Sequence, residues 1–239
     1  MSDSDDVPCN HLLRALPESE RARLAPLGER RSFELLEVLA DAGSELTSVY
    51  FPEDAIISVV RPASGALVEA GTVGREGMVG FGVLLGTALT TSKLTIQHSG
   101  KIVCYPLAAL QAALPELPLL REVIGRYMLT FVDQVGQAAA CNARHSLDQR
   151  CAKWMLMARD RLEQESFTLT HAVLAQMLGV HRPGVTLAAG KLQKAGLIRY
   201  VRGRVTILDN PGLEAAACEC YGINRENFQR LLPGAHTAA

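Results

Sequence analysis

The chain has 239 residues, 48% of them hydrophobic and 5% aromatic, which is enough for two ordinary domains with apolar cores. The longest nearly apolar stretch, residues 79–89, is too short and too glycine-interrupted to span a bilayer. The net charge of −1 averages two unlike parts: residues 1–141 hold 11 Lys and Arg against 17 Asp and Glu, and residues 142–239 hold 13 against 8. This asymmetry is typical of a sensing module joined to one that binds a polyanion, although chance or selection for solubility also produces it.

The cysteines and the N-terminus indicate the compartment. The N-terminal residues MSDSDDVPCN are acidic and have neither the cationic n-region nor the apolar h-region of a signal peptide. The six cysteines have no regular spacing and no Cys-x-x-Cys motif: Cys9, Cys104, Cys141, Cys151, Cys218 and Cys220. We therefore expect a cytoplasmic protein with reduced thiols and no membrane partner.

The first half predicts a β-rich domain. Residues 11–27 form a short helical leader that Pro17 and Pro26 interrupt. From residue 30 to about 106, short β-favouring runs alternate with turn signals such as Ser64-Gly65 and Ser99-Gly100. Several short strands at close spacing predict an antiparallel sandwich or barrel.

A long helix follows, predicted over residues 118–142. Apolar residues recur every three or four positions, and Pro115 and Pro118 mark its start. A helix of this length with such a seam usually needs a partner helix. The seam predicts a homodimer interface, and its alternative is packing on the chain's own β-domain. The interface residues would be Leu120, Ile124, Met128, Phe131 and Val135.

The segment 170–192 has the pattern of a helix-turn-helix. Ala175 is the small residue that lets the second helix cross closely, and Gly179 lies where the turn requires a positive φ. Val185 is an inward position, Thr170 can cap the first helix, and Pro183 suits the first turn of the second.

A β-hairpin is predicted directly after the helix-turn-helix, over residues 196–208, with its turn at Arg202-Gly203. Arg199, Arg202 and Arg204 lie in this short ribbon, where arginines beside a recognition helix can contact phosphate or the minor groove. The alternative is a solvated basic turn.

This order of elements resembles the Crp/Fnr superfamily of transcriptional regulators over nearly the whole chain. The most specific segments are TLTHAVLAQMLGVHRPGVTLAAGKLQKAGLIRY and VYFPEDAIISVV with VEAGTVGREGMVG. The resemblance implies an α+β fold: a cyclic-nucleotide-binding-like antiparallel β-roll with the dimerisation helix (1–142) and a winged helix-turn-helix (143–239). It also implies a homodimer on a two-fold double-stranded DNA site and contact with RNA polymerase.

The recognition helix departs from the family pattern, which opens with Arg-Glu and repeats Arg one turn later. Of those positions only Arg182 is kept, and Pro183 and Leu187 stand at the others. Arg182 can read guanine, while Pro183 or Leu187 can meet a thymine methyl. The remaining expected DNA contacts are His181, Thr186, Lys191, Lys194 and the three wing arginines.

The effector site of the family is not preserved. Gly80-Phe81 stands where the family has Gly-Glu for the ribose, and Thr90-Thr91-Ser92-Lys93 lacks the arginine for the cyclic phosphate. We therefore expect no dependence on cyclic AMP. The nearest charges are Arg75, Glu76 and Lys93, which are effector candidates or ordinary loop residues.

No cofactor is expected either. The iron-sulfur members of the family use an N-terminal cysteine cluster, and only Cys9 lies there. Cys218 and Cys220 with His236 are too few ligands for zinc, so we expect ordinary thiols and no metal.

Two functions remain. The first is a sequence-specific transcription regulator with an unknown effector or none. The second is a nucleotide-binding regulatory subunit that controls a partner protein. The chain has no Walker loop, no Gly-x-Ser-x-Gly and no His-Glu-x-x-His, so it is not expected to be an enzyme.

Overall fold

The computed structural model describes residues 8–63 and 66–232, and Ser64, Gly65 and His236 lie outside them. The chain opens with the short helices α1 (His11–Arg14) and α2 (Glu18–Leu24). The Asn10 side chain caps α1, accepting hydrogen bonds from the N–H groups of Leu12 and Leu13. Its amide nitrogen donates to the carbonyls of Pro52 and Gly77, each at 2.8 Å, and so joins the leader to the β-domain.

Two antiparallel layers form the β-roll. Its strands are β1 (Glu29–Phe33), β2 (Val38–Ala40), β3 (Ser48–Pro52), β4 (Ile56–Ala63), β5 (Ala66–Val73), β6 (Lys93–His98) and β7 (Gly100–Pro106). One sheet has the order β1-β7-β3 and the other β2-β6-β4-β5. Phe51, Ile57, Ile96 and Ile102, from both sheets, are fully buried in one core. The mixed fold class with an antiparallel β-roll is confirmed.

The long helix follows α3 (Leu107–Ala113) and is α4 (Pro118–Arg144), as predicted. The Glu20 carboxylate accepts hydrogen bonds from the first N–H groups of α4, those of Leu119 and Leu120. It thereby satisfies donors that a helix N-terminus leaves unpaired.

Part of the predicted dimer seam is wrong. Leu120 and Ile124 have no exposed surface and belong to the β-roll core of the same chain, together with Tyr127. The Tyr127 ring lies directly over Gly77, where a Cβ atom would collide with it. Packing on the chain's own β-domain, the alternative for this stripe, is correct here, so Leu120 and Ile124 cannot lie in a dimer interface. Phe131 also packs against this core and is partly buried.

Another apolar stripe of α4 is exposed. Leu129 is 57% and Val132 63% exposed, and Gly125 lies one turn earlier with open space where its Cβ would be. The intervals of four and three residues are those of a heptad seam. Met128 and Val135, from the predicted seam, are partly buried.

The rest of the described chain is a helical domain with a small sheet. Its elements are α5 (Leu147–Leu162), β8 (Ser166–Thr168), α6 (His171–Leu178), α7 (Arg182–Lys194), β9 (Ile198–Val201), β10 (Arg204–Ile207), α8 (Asn210–Ala216) and α9 (Cys220–Leu231). The strands form a sheet with the order β8-β10-β9. Among the described residues, no helix combines the length and apolarity that a membrane crossing requires.

The chain divides into two compact units. The first comprises residues 8–59, 72–132 and 228–232, and the second comprises 60–63, 66–71 and 133–227. The sequence-based boundary at residue 142 differs from this division because the last turns of α4 pack with the second unit. For example, Asn227 donates a 2.8 Å hydrogen bond to the Asp133 carboxylate.

Candidate nucleic-acid interface

The helix-turn-helix consists of α6, a turn at Gly179, and α7. The Thr170 hydroxyl caps α6 by accepting from the N–H of Val173 at 3.1 Å. Gly179 ends α6 with φ +62°, a conformation that glycine adopts without strain. Ala175 and Val185 are buried on the inner face, so the residues predicted for the motif core occupy the positions expected of them.

Helix α5 packs against both helices of the motif. A Cβ atom on Gly184 would lie 3.0 Å from Leu147 Cδ2, so the absence of a side chain at Gly184 lets α7 approach α5 closely. Arg150 donates to the Leu178 carbonyl at 2.5 Å, which satisfies an acceptor at the end of α6. Trp154 of α5 is 9% exposed.

The outward face of α7 carries the predicted DNA contacts. Leu187 is 69% exposed and therefore accessible to a partner. The other predicted residues on this helix and its N-cap are also exposed: His181, Arg182, Pro183, Thr186, Lys191 and Lys194.

Two of these side chains already have partners within the fold. Lys191 forms a 2.7 Å ion pair with Asp148. The Thr186 hydroxyl donates to the Arg182 carbonyl and lies 3.0 Å from His171 Nδ1. Both residues are therefore less available to bases than Leu187 and the Arg182 guanidinium.

The wing is the hairpin of β9 and β10. Its two-residue turn has φ +47° at Arg202 and φ +77° at Gly203, the signature of a type I′ turn. Such a turn strongly favours Asn-Gly, and an arginine at its first position is strained. Arg204 is held by Ser166, with a 2.8 Å bond from Nε to the hydroxyl, whereas Arg199 is exposed.

A cleft of about 540 Å³ lies between α7 and the wing. Arg182 lines one side and Arg202 the other, and across residues 8–63 and 66–232 neither guanidinium has an ion-pair partner. Two unpaired cations on facing walls make the cleft attractive to a polyanion.

A polar network that was not predicted from the sequence also lines the cleft. His171 packs edge-on against Tyr200, with ring centroids 4.5 Å apart. Burial, and then the charge of Arg182, lower the pKa of His171 below its usual value. Gln193 accepts a 2.6 Å bond from the Tyr200 N–H, and the Tyr200 hydroxyl donates to the Leu169 carbonyl. His171 follows the capping residue Thr170 directly, which is the signal that could have identified it.

The β-roll residues at the family's effector positions, and the charged residues nearest to them, have contacts within the fold. Gly80 has φ +100°, and the Phe81 ring after it packs against Phe131 with centroids 5.7 Å apart. Lys93 forms a 2.8 Å ion pair with Asp41. Glu76 accepts a bond from the Gly74 N–H within its own turn. The Arg75 carbonyl accepts from the His11 N–H.

A second group of polar residues was also not predicted from the sequence. The structure brings Cys141 and His145, from the end of α4, to Cys218 and Cys220, at the start of α9. His236 was the only histidine expected to accompany the two C-terminal cysteines. The available signal was the four-residue interval between Cys141 and His145, which places both on one face of a helix.

Comparison with known proteins finds a family match within the second half of the chain. Residues 149–216 match the model of the Crp-like helix-turn-helix domain. No curated protein sequence matches the chain.

Solved structures share the fold over most of the chain. A CRP-family transcriptional regulator of Thermus thermophilus is 21% identical with a TM-score of 0.64, covering 78% of this chain and 96% of its own. The c-di-GMP responsive global regulator CLP of Xanthomonas campestris is 16% identical with a TM-score of 0.65, covering 80% and 99%. FixK2 of Bradyrhizobium japonicum is 13% identical with a TM-score of 0.68, covering 80% and 98%.

Proposed function

Because the chain has the fold of the Crp/Fnr superfamily and a Crp-like helix-turn-helix domain, we propose that it is a sequence-specific transcription regulator that binds an inverted-repeat operator as a homodimer. The observation that carries the proposal is the outward face of α7, with Arg182 and Leu187 exposed beside the wing arginine Arg202. Both α7 side chains are exposed and therefore accessible to a partner.

Base reading is assigned to α7. Arg182 donates to guanine O6 and N7 in the major groove, and Leu187 or Pro183 contacts a thymine methyl group. Lys194, at the far end of the helix, contacts phosphate, with His181 at the near end. Arg199 and Arg202 on the wing contact phosphate or the minor groove and add affinity without base preference.

The dimer forms through the exposed stripe of α4. Gly125, Leu129 and Val132 recur at heptad spacing, so a second copy of the same stripe is complementary to it. Two copies then place two recognition helices on half-sites about 34 Å apart, one turn of DNA. RNA polymerase is the expected partner on the DNA, as for regulators of this superfamily.

The β-roll is proposed to act without cyclic AMP. Phe81 packs against Phe131 at the position of the ribose acceptor, and Lys93 is paired with Asp41. The alternative function, a nucleotide-binding regulatory subunit, has less support for the same reason.

Selection of DNA ligands from a random duplex library by the full chain tests the proposal. We expect enrichment of a two-fold symmetric site, with half-site centres one helical turn apart. If no sequence is enriched, or if the enriched site is not symmetric, the proposed function is wrong.

A further inference from the structure

A compact set of metal-ligating side chains lies in the second unit, apart from the DNA-binding face. One ligand atom from each of Cys141, His145, Cys218 and Cys220 lies within 4.8 Å of the others. The three cysteines are at most 3% exposed and His145 is partly buried. Four such residues with their donor atoms converging are a far stronger signal than a lone thiol pair.

The chain positions these ligands through two short local motifs. Cys141 and His145 are one helical turn apart, and the His145 N–H continues the helix by bonding to the Cys141 carbonyl at 3.0 Å. Cys218 and Cys220 flank the start of α9, separated by a single residue. Because the two motifs lie more than 70 residues apart, only the folded chain unites them.

We infer that these four residues bind a single Zn²⁺ ion in a closed Cys₃His site. Zinc in structural sites is tetrahedral, with Zn–S distances of about 2.3 Å, so neighbouring ligand atoms lie about 3.8 Å apart. Cys141 Sγ lies 3.5 Å from Cys218 Sγ, and Cys220 Sγ lies 3.5 Å from His145 Nδ1. These separations suit ligands that share one ion, whereas a multi-iron cluster binds each thiolate through its own iron and holds the sulfurs further apart.

The residues around the ligands also suit a metal. His145 Nε2 lies 3.1 Å from the Glu219 carboxylate, so the other ring nitrogen, Nδ1, faces the thiols. A carboxylate bonded to the second nitrogen of a ligand histidine is the usual arrangement at zinc sites, because it fixes the ring and its tautomer. Gln137 donates to Cys220 Sγ at 3.0 Å, a bond that stabilises a thiolate.

The charge balance around the four ligands also supports a bound zinc ion. A Zn²⁺ ion with three thiolates and a neutral histidine has one negative charge in excess. Lys153, only 8% exposed, interacts electrostatically with both Cys141 and Cys218. A buried lysine needs a compensating anion, and the loaded site supplies it.

All four positions of a tetrahedron are filled by protein, so the site has no place for a substrate and is structural. Its effect is to fasten the start of α9 to the end of α4. The same four residues also allow a rival chemistry, a disulfide between Cys141 and Cys218, which would leave Cys220 and His145 without a function.

Metal content of the full-length protein, purified under reducing conditions without added metal, tests the inference. We expect about one zinc per chain by mass spectrometry and no acid-labile sulfide. Replacing zinc with Co²⁺ should give the intense visible absorption of tetrahedral cobalt thiolate. The inference would be overturned by iron with sulfide or by the lack of stoichiometric metal. A Cys141–Cys218 disulfide that persists under the reducing conditions would also overturn it.

Variants locate the metal. C220S and H145A should each lose most of the zinc, while the matched controls C151A, a buried thiol in the same unit, and C9S, an exposed one, should keep it. If a ligand variant does not fold, chelation of the wild-type protein replaces it: removing zinc should lower the melting temperature by about 10 °C, and restoring zinc should reverse this. Zinc retained equally by C220S and C151A, or chelation without any thermal shift, would contradict the site.

Discussion

The outward face of α7 and the region around Phe81 are both parts of one family likeness, but they differ in what their side chains do within the fold. Leu187 and Arg182 project from α7 and contribute little to its packing, whereas Phe81 is used in packing against Phe131. A side chain that the fold does not need is available to a partner. A position filled by a packed aromatic ring offers no polar anchor to a ligand. We therefore propose that this chain shares DNA binding with the superfamily and does not share cyclic AMP binding.

The largest expected effect on operator binding comes from disrupting the proposed dimer. The double variant Leu129→Asp, Val132→Asp places two carboxylates in the exposed stripe of α4 and should yield monomers in light scattering. Operator affinity should fall at least ~100-fold, because the second half-site is no longer bound in the same event.

The matched control for the dimer is Leu119→Asp, since Leu119 is also exposed on α4 but lies on another face. It should remain dimeric. Substituting Phe131 and Val135, two residues of the predicted seam, is less informative because Phe131→Asp also disturbs the packing of Phe81. A Leu129→Asp, Val132→Asp variant that stays dimeric would show that the interface lies elsewhere.

A comparison of two arginines separates base reading from backbone binding. Arg182→Ala should cost about 1–3 kcal/mol in operator binding and relax the preference at one base pair in each half-site. Arg202→Ala should weaken all sequences alike and reduce the salt dependence by about one unit of slope. Both affinities are measured by fluorescence anisotropy on operator and scrambled duplexes. A change of base preference by Arg202→Ala alone would reverse the assignment of the two elements.

A smaller effect is expected at Arg202, where a substitution that weakens DNA binding should raise the stability of the fold. Its φ of +47° is one that asparagine adopts more readily than arginine, so Arg202→Asn should stabilise the second unit by about 0.5 kcal/mol. The same change should weaken DNA binding, which is the expected trade-off at a functional position. Urea denaturation measures the gain. Arg199→Asn, which removes the same charge from extended backbone in β9, serves as the control and should not be stabilising.

Local features were predictable from the sequence because their causes are local. The Thr170 cap, the turn at Gly179 and the hairpin turn at Arg202-Gly203 depend on a few neighbouring residues, and each is in the structure. The seam of α4 was assigned wrongly at Leu120 and Ile124 because periodicity shows that a face is buried and does not show which partner buries it. The Cys141–Cys218 approach depends on the tertiary fold, so spacing alone could not reveal it.

The last prediction concerns the β-roll: cyclic AMP and cyclic GMP should neither bind with micromolar affinity nor alter operator binding. A buried cyclic phosphate needs a cationic hydrogen-bonding partner, and leaving one charged bond unmade costs at least ~1–3 kcal/mol. Lys93 is the nearest substitute for the missing arginine, but it is paired with Asp41 at 2.8 Å and would have to give up that partner. With Phe81 at the ribose position as well, two anchors are missing, and nucleotide affinity should be lower by two or more orders of magnitude than in an intact pocket.

Calorimetry with both nucleotides measures their binding, and gel shifts on the selected operator, with and without the nucleotides, measure their effect on DNA binding. Asp41→Ala is the sharpest companion variant, because it releases Lys93 without touching α7. Nucleotide binding that appears only in this variant would show that the ion pair closes the pocket, whereas micromolar binding by the wild type would show that the pocket still functions despite Phe81.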